Sequence, residues 1–286
     1  MRAAFATALL ALLAPFAVAA PTPGTALAPG GLVLTSNAHE VPVGGSVAHV
    51  GADVHVLDAT GAVVKVVTPG PAPTRTKNAK PAEATGWIAY ASWLNTGSSP
   101  ISSFKTTWTV PPVPATNHDQ TLFLFNSIEP NSGDAILQPV LQFGPSAAGG
   151  GSYWAVATWY LVGDSTFYTT PVKTSAGATL DGIVTLTSSS GSSYNYVSSF
   201  TNIAGTSLTA TGSAELTWAT ETLEVYSVTE KSDFPTGSTV FKDIDLVLSS
   251  GAAPSVSWSA VSSTQDGIST SITVGGATNA EVTVTY

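Results

Sequence analysis

Residues 104–110 read FKTTWTV, and the pattern in this stretch decides the fold prediction. In an extended chain successive side chains point to opposite faces, so Phe104, Thr106 and Trp108 share one side. Two prolines follow directly and end the strand, because proline cannot donate a hydrogen bond to a neighbouring strand. Alternation with a period of two residues is typical of a β-strand with one buried face.

The same alternation recurs along the rest of the chain, between breaks of Gly, Ser, Asn and Pro. About a dozen segments show it, and no convincing amphipathic helix follows the N-terminal residues. The sequence therefore predicts an all-β fold, a two-sheet antiparallel β-sandwich. The predicted strands include LFLFNSI, AILQPVLQF, SYWAVATWYLV, AELTWATETLEVYSV and AEVTVTY.

Two segments precede this domain. Residues 1–20 carry one arginine, then an apolar run and small residues, which is the layout of a secretory signal peptide, so we expect a secreted, extracellular protein. Residues 21–86 are rich in turns and prolines and end in a basic stretch. We interpret them as a propeptide or a flexible N-terminal segment, with an exposed linker as the alternative. Residues 87–286 are expected to form the β-sandwich domain.

The composition excludes several classes of function. The chain has no cysteine, which removes disulfides, thiol catalysis and cysteine metal sites. From Trp87 onward it has four lysines, no arginine and 14 acidic residues, a balance that disfavours nucleic acid as a partner. Such a surface carries little positive charge once its carboxylates are protonated, which suits an acidic medium. We expect no membrane span after the signal peptide, and a monomer.

Residues and motifs that bind metals or cofactors are scarce in this domain. Three of the four histidines fall within residues 21–86, and the fourth, His118, lies in a predicted surface loop. The sequence contains no phosphate-binding loop, dinucleotide fingerprint or G-x-S-x-G motif. We therefore expect no metal and no cofactor, so that any catalysis has to use carboxylates and amides.

Two predicted strands supply such groups. AILQPVLQF carries Gln138 and Gln142 among apolar residues, and a buried amide costs stability unless it finds partners. Each glutamine therefore serves either a hydrogen-bond network or a chemical task. In AELTWATETLEVY, alternation places Glu221 with small and apolar neighbours and Glu224 on the opposite side. Burial would perturb the pKa of Glu221 and make it a site candidate; an exposed position at the sheet edge is the alternative.

These motifs resemble those of the eqolisins, the fungal glutamic peptidases. The family has an AILQ strand with a catalytic glutamine, matched here by residues 135–138. It also has a later W-x-x-E-x-x-E strand whose first glutamate is catalytic, matched by residues 218–224. The resemblance extends over residues 87–286 and includes GW at 86–87 and Y-x-A-x-x-x-W-Y at 153–160.

The resemblance implies a concanavalin A-like (jelly-roll type) sandwich and a secreted acid endopeptidase without a cofactor. By this resemblance, Gln138 and Glu221 would hold a water between them in an open groove. Glu221 would act as general base, and the Gln138 amide would offer an acceptor to the water and a donor to the oxyanion. Phe125 and Glu129 would take supporting places that are Trp and Asp in familiar members, and Thr158 replaces a frequent Glu.

Trp87, Trp159 and Tyr160 are candidates for subsites that bind the side chains of a polypeptide substrate. The strand register decides which of them face the groove. Two other interpretations stay open, because a fold does not determine a function. One is a secreted carbohydrate-binding or glycan-cleaving β-sandwich, and the other is an inactive relative of the peptidases.

Overall fold

The computed structural model describes residues 24–72 and 86–286. The predicted signal peptide, residues 1–20, and the basic end of the N-terminal segment, residues 73–85, lie outside the described residues. Within the described ranges, no helix is long and apolar enough to cross a membrane.

The described residues form 21 strands and two short 3-10 turns, the latter at Thr35–Asn37 and Lys231–Asp233. The strands, in chain order, are β1 (Thr25–Ala28), β2 (Gly31–Leu34), β3 (Ala38–Glu40), β4 (Ser46–Val50), β5 (Asp53–Leu57), β6 (Val63–Val67), β7 (Gly86–Leu94), β8 (Ile101–Thr109), β9 (Thr121–Glu129), β10 (Ala135–Ser146), β11 (Gly149–Val162), β12 (Ser165–Tyr168), β13 (Val172–Lys173), β14 (Thr179–Ser190), β15 (Ser193–Phe200), β16 (Leu208–Ser213), β17 (Trp218–Tyr226), β18 (Ser238–Leu248), β19 (Ser259–Val261), β20 (Ser269–Val274) and β21 (Ala280–Thr285).

These strands form two large sheets and one small hairpin. The nine-stranded sheet has the order β19-β7-β17-β9-β10-β11-β12-β3, with β13 also paired to β11. The ten-stranded sheet has the order β20-β21-β18-β8-β14-β15-β16-β4-β5-β6. The remaining strands, β1 and β2, pair with each other. The predicted two-sheet, mainly antiparallel β-sandwich is confirmed.

The main core lies between the two large sheets, and we call this space the inner core. It contains Phe104 and Trp108 from β8 of the ten-stranded sheet, and Phe143 and Trp154 from β10 and β11 of the nine-stranded sheet. All four side chains are almost completely removed from solvent. Burial of large aromatic side chains is a dominant stabilising contribution in a chain without disulfides.

The opposite surface of the nine-stranded sheet, which we call the outer face, is buried as well. Phe123, Ile136 and Val140 point to this side and pack together with Ala28 of β1. The hairpin β1–β2, residues 25–34, therefore lies on the outer face, and we call it the N-terminal hairpin. Since both surfaces of the sheet are covered, every residue of β9 is buried.

Residues 38–67 extend both sheets at one end of the sandwich. β3 pairs in parallel with β12 of the nine-stranded sheet, and β4 pairs in parallel with β16 of the ten-stranded sheet. β5 and β6 follow β4 in antiparallel order. We call β3–β6 the edge unit. Residues 24–72 thus contain paired strands, and the interpretation of residues 21–86 as a propeptide or a flexible N-terminal segment stays a prediction.

Candidate functional site

Gln138 points to the outer face of the nine-stranded sheet. Its neighbours in β10, Leu137 and Leu141, belong to the inner core, whereas Ile136 and Val140 belong to the outer-face cluster. Because side chains alternate along a strand, Gln138 lies on the same side as Ile136 and Val140. Its direct neighbour on β11 is Trp159.

The two glutamines of β10 have different surroundings. Gln142 donates from its amide nitrogen to the carbonyl oxygens of Gly144 and Gly149, at 2.8 and 2.9 Å, and accepts from the Ser146 hydroxyl at 2.9 Å. Gln142 therefore stabilises the turn between β10 and β11. Gln138 is fully buried, yet neither its amide nitrogen nor its amide oxygen has a hydrogen-bond partner among the described residues. A buried amide in that state is costly, which favours a chemical task over a structural one.

Glu221 points to the inner core instead. Its Oε1 accepts a hydrogen bond of 2.5 Å from the hydroxyl of Thr106, which lies on β8 of the opposite sheet. Its alternating neighbours in β17, Ala219 and Leu223, also belong to the inner core. Burial raises the pKa of Glu221 well above the usual 4.5, and the hydrogen bond from Thr106 offsets only part of that rise. The shift therefore favours the neutral form of this carboxyl group relative to an exposed glutamate.

The structure does not bring Gln138 and Glu221 together. The two side chains leave the sheet on opposite surfaces, so one water molecule cannot contact both. The strand register places Ser127 beside Gln138, and Thr220 beside Ser127. The Thr220 hydroxyl is 2.7 Å from that of Ser127 and 2.9 Å from that of Thr222. A threonine thus occupies the outer-face position across from Gln138 where the predicted dyad requires a carboxylate.

The outer face nevertheless has two carboxylates of its own. Glu129 is buried at the end of β9 and pairs with Trp218 of β17. Because Ser127, two residues before it in β9, lies beside Gln138, Glu129 is diagonal to Gln138 on the same surface. Glu224 of β17 is also buried, and its Oε1 accepts from the Tyr226 hydroxyl at 2.5 Å. The alternation of the sequence already predicted that Glu224 and Glu221 lie on opposite sides of the strand. It did not predict which of the two sides faces the inner core.

Most of the predicted supporting residues lie on the outer face. Phe125 packs edge-on against Trp87, with ring centroids 5.6 Å apart, and Trp87 stacks on Trp218 at 5.8 Å. Trp159 packs against Tyr168 at 5.0 Å, beside Gln138. Clusters of aromatic side chains offer large apolar surfaces to apolar groups of a ligand.

Tyr160 and Thr158 lie on the other side of β11. Tyr160 belongs to the inner core, and its hydroxyl is 2.8 Å from Nε2 of His49. Thr158 follows the same alternation and is fully buried. The proposed subsite role of Tyr160 therefore does not fit this structure, because the ring cannot contact a ligand on the outer face.

The N-terminal hairpin is bound to the outer face by main-chain hydrogen bonds. The Gly30 N–H donates to Glu224 Oε1 at 2.6 Å, and the carbonyl oxygen of Leu27 accepts from the Ala147 N–H at 2.6 Å. Ala28, between them, is fully buried in the outer-face cluster. The outer face thus already holds a stretch of polypeptide in this structure. The turn-rich composition of this segment gave no sign of that position.

A separate cluster surrounds Asp233 near the end of β17. Asp233 Oδ1 accepts from the Thr116 hydroxyl at 2.7 Å and lies 2.8 Å from His118 Nδ1. Its Oδ2 accepts from the Thr229 N–H and hydroxyl and from the Glu230 N–H. His118, Glu230 and Asp233 have spacing compatible with a metal ion. The five hydrogen bonds already use both Asp233 oxygens, so we interpret the cluster as a structural hydrogen-bond network that joins two loops.

We expect Asp233→Ala to destabilise the protein by roughly 1–3 kcal/mol, because several partly buried donors lose their shared, fully buried acceptor. Burial acts to raise the pKa of Asp233, but hydrogen bonds from Thr229, Thr116 and His118 outweigh it and lower the pKa to about 2. The contribution of this carboxylate is therefore complete above its usual pKa of 3.8 and is lost as the pH falls towards about 2. Urea unfolding at pH 6 and pH 2 checks this, since the variant and the wild type should differ less at pH 2.

Comparison with known proteins gives structural matches only. No protein-family model and no curated protein matches the chain. Scytalido-glutamic peptidase with a transition state analog inhibitor is 17% identical, with a TM-score of 0.48, over 71% of this chain and 98% of that one. The same peptidase with a peptide-based transition state analog is 15% identical, with a TM-score of 0.47 and the same coverage.

A third similar structure is SCP-B, a member of the eqolisin family of peptidases, in a complex with the tripeptide Ala-Ile-His. It is 16% identical, with a TM-score of 0.45, and the match covers 71% of this chain and 98% of that one. The chain is therefore distantly similar in fold to glutamic peptidases. Identities at this level do not transfer an activity or a set of site residues.

Proposed function

We propose that the protein is a secreted endopeptidase that acts at acidic pH, with its catalytic surface on the outer face of the nine-stranded sheet. Gln138 is the central polar group of that surface, and no cofactor takes part. The single observation that carries the proposal is the amide of Gln138, which is fully buried and has no hydrogen-bond partner in the described part of the chain. The AILQ motif around it, which resembles the glutamic peptidases, agrees with this role.

The N-terminal hairpin indicates which kind of ligand the outer face accepts. It contacts that face through an N–H and a carbonyl oxygen of its backbone, which every polypeptide offers. The side chain that enters the outer-face cluster, that of Ala28, is small. A polypeptide substrate bound in an extended form could make the same two kinds of main-chain contact. The hairpin would have to leave first, so we propose that it keeps the enzyme inactive.

The chemistry would use an amide and a carboxyl group. The Gln138 amide can accept a hydrogen bond from a water and donate one to the oxyanion that forms when the water attacks a peptide carbonyl. Glu129 is the carboxyl group nearest to Gln138 in strand register, since Ile128, directly before it in β9, pairs with Leu137, directly before Gln138 in β10. We therefore assign to Glu129, in place of Glu221, the transfer of the proton from the water to the leaving amine.

The test uses a variant that uncovers the site. Ala28→Glu places a carboxylate in the outer-face cluster, where Ala28 has no exposed surface, and should displace the N-terminal hairpin. We expect this variant to cleave a denatured protein substrate between pH 3 and pH 6, measured as newly released amino termini. Adding Gln138→Ala should lower the rate by roughly 10²–10³-fold, the usual effect of removing an oxyanion donor.

Leu32→Glu is the matched control for the uncovering step, because Leu32 lies in the same hairpin but is 56% exposed. At pH 6 it should leave the hairpin in place and the activity low. Equal cleavage with and without Gln138 would contradict the assignment of the site. If Ala28→Glu loosens the hairpin but cleaves no protein and instead binds glycans, the carbohydrate-binding interpretation takes its place.

A further inference from the structure

A buried histidine lies where the edge unit meets the nine-stranded sheet. His39, on β3, has 4% of its surface exposed, and its ring lies 5.2 Å from that of Phe167 on β12. Its Nδ1 is 2.7 Å from the Lys65 ammonium on β6, which has only donor hydrogens. Nδ1 must therefore be the acceptor, and His39 must be neutral. This one contact joins β3 at the edge of one sheet to β6 at the edge of the other.

Protonation of His39 is incompatible with this geometry. A proton on Nδ1 would place two donors and two positive charges 2.7 Å apart. The other ring nitrogen, Nε2, is buried and has no hydrogen-bond partner among the residues described. Burial and the charge of Lys65 lower the pKa of His39 to about 4. The neighbouring Glu40 is exposed and accepts instead from the Thr170 hydroxyl at 2.5 Å.

A second histidine of the edge unit bridges the sheets in the same way. His49, on β4, contacts the Tyr160 hydroxyl on β11 through Nε2 at 2.8 Å. Burial lowers the pKa of His49, while the Asp134 carboxylate before β10 acts in the opposite direction. In the described part of the chain, Tyr160 and Asp134 are the ionisable groups that act on His49; β5 contributes Val54, and β16 contributes the backbone of Gly212.

We propose that the edge unit is an acid-sensitive attachment, and that protonation of His39, assisted by His49, detaches residues 24–72 from the sandwich and withdraws the N-terminal hairpin from the outer face. His39 contacts Phe167 of the sandwich and Lys65 of its own segment. His49 contacts Tyr160 of the sandwich. The pairings that hold the unit to the sandwich, β3 with β12 and β4 with β16, are parallel. The consequence for activity depends on the proposed function, but the detachment itself does not.

The direction of the pH effect follows from the two states. The detached segment binds a proton on His39 near the ordinary pKa of 6.5, whereas the attached segment binds it only at about 4. Attachment is therefore complete above pH 6.5 and weakens as the pH falls through this window. One proton taken up on detachment changes the equilibrium about tenfold per pH unit, so His39 alone gives roughly a hundredfold weakening by pH 4.

The experiment cuts the chain between the two parts. Residues 76–82 of the full chain are replaced by the recognition sequence of a site-specific protease, and the chain is cut there at pH 7.5. Gel filtration at pH 7.5 and pH 4 then measures how much of the N-terminal fragment stays with the sandwich. We expect the fragment to stay bound at pH 7.5 and to dissociate at pH 4, with a dissociation constant about a hundredfold higher.

His39→Gln provides the decisive comparison, because glutamine is polar and does not titrate. Its ratio of dissociation constants at the two pH values should fall to within about tenfold. His55→Gln, the same change on β5 of the same unit, should keep the wild-type ratio. A fragment that stays bound at pH 4, or an equal ratio in wild type and His39→Gln, would overturn the proposal. Because no cleavage of substrate is measured, an inactive protein would still give a valid answer.

Discussion

Exchanging Glu221 for glutamine is expected to leave the peptidase activity of the uncovered protein nearly unchanged, within about threefold, whereas Glu129→Gln should lower it by roughly 10²–10⁴-fold. Glu221 is hydrogen-bonded to Thr106 between the sheets and cannot reach a ligand on the outer face. Glu129 shares the outer face with Gln138. Initial rates on a denatured protein substrate at pH 4, in the Ala28→Glu background, measure both effects.

Glu224→Gln supplies the matched control for this comparison, since Glu224 is a buried carboxylate on the outer face that contacts the N-terminal hairpin. Its exchange should act mainly on attachment of the hairpin, and so have little effect once the hairpin is displaced. A large loss of activity in Glu221→Gln, with Glu129→Gln unaffected and both proteins folded, would restore the original dyad and refute the assignment made here.

The second large effect concerns stability. Glu221 should make the free energy of unfolding fall as the pH rises above about 4.5, by up to about 1.4 kcal/mol per pH unit, whereas His39 acts in the opposite direction between about pH 4 and pH 6.5. Burial raises the pKa of Glu221 in the folded state, so the folded protein keeps a proton that the unfolded chain releases. The contribution is therefore fully present below pH 4.5 and is lost as the pH approaches the raised pKa.

Urea unfolding of residues 24–286 at half-unit steps from pH 4 to pH 8 measures this slope. Glu221→Gln should remove it, because the amide has the same shape as the neutral acid and does not titrate. Glu281→Gln, a half-buried carboxylate on β21, should keep the wild-type slope. A free energy of unfolding with the same pH dependence in wild type and Glu221→Gln from pH 4.5 to pH 7 would contradict the buried position of Glu221.

Acid is thus expected to act differently on the two parts of the molecule. The sandwich is most stable when Glu221 is protonated, whereas the edge unit depends on a neutral His39 held beside Lys65. Lowering the pH should therefore loosen the N-terminal segment while the inner core stays intact. This difference is what an enzyme that becomes active in an acidic medium requires.

The strands themselves could be predicted from the sequence, because alternation is a local property of the chain. In β8, Phe104, Thr106 and Trp108 share one surface, as the pattern indicated. The surface that faces the core could not be predicted for β9 and β17, since nearly all their residues are buried on both sides. The predicted roles of Gln138 and Glu221 depended on which surface of their strands faces the inner core. A shift of the register by one residue moves each side chain to the opposite surface.

The place of the N-terminal segment could not be predicted for a different reason. Its short strands pair in parallel with β12 and β16, which lie more than 100 residues further along the chain. Such pairings leave no local signal, and the turns and prolines of residues 21–86 are equally compatible with a loose propeptide. The contact of Gly30 with Glu224 is also a long-range one, across 194 residues.

Gln138 and Glu221 lie on opposite surfaces of the nine-stranded sheet, and the protonation state of Glu221 tests this placement directly. A difference infrared spectrum between wild type and Glu221→Gln at pH 6 isolates the absorption of this one carboxyl group. We predict the carbonyl band of a neutral carboxylic acid, because the group is enclosed in the inner core. The band of an ionised carboxylate in its place would show a hydrated Glu221 and contradict the account.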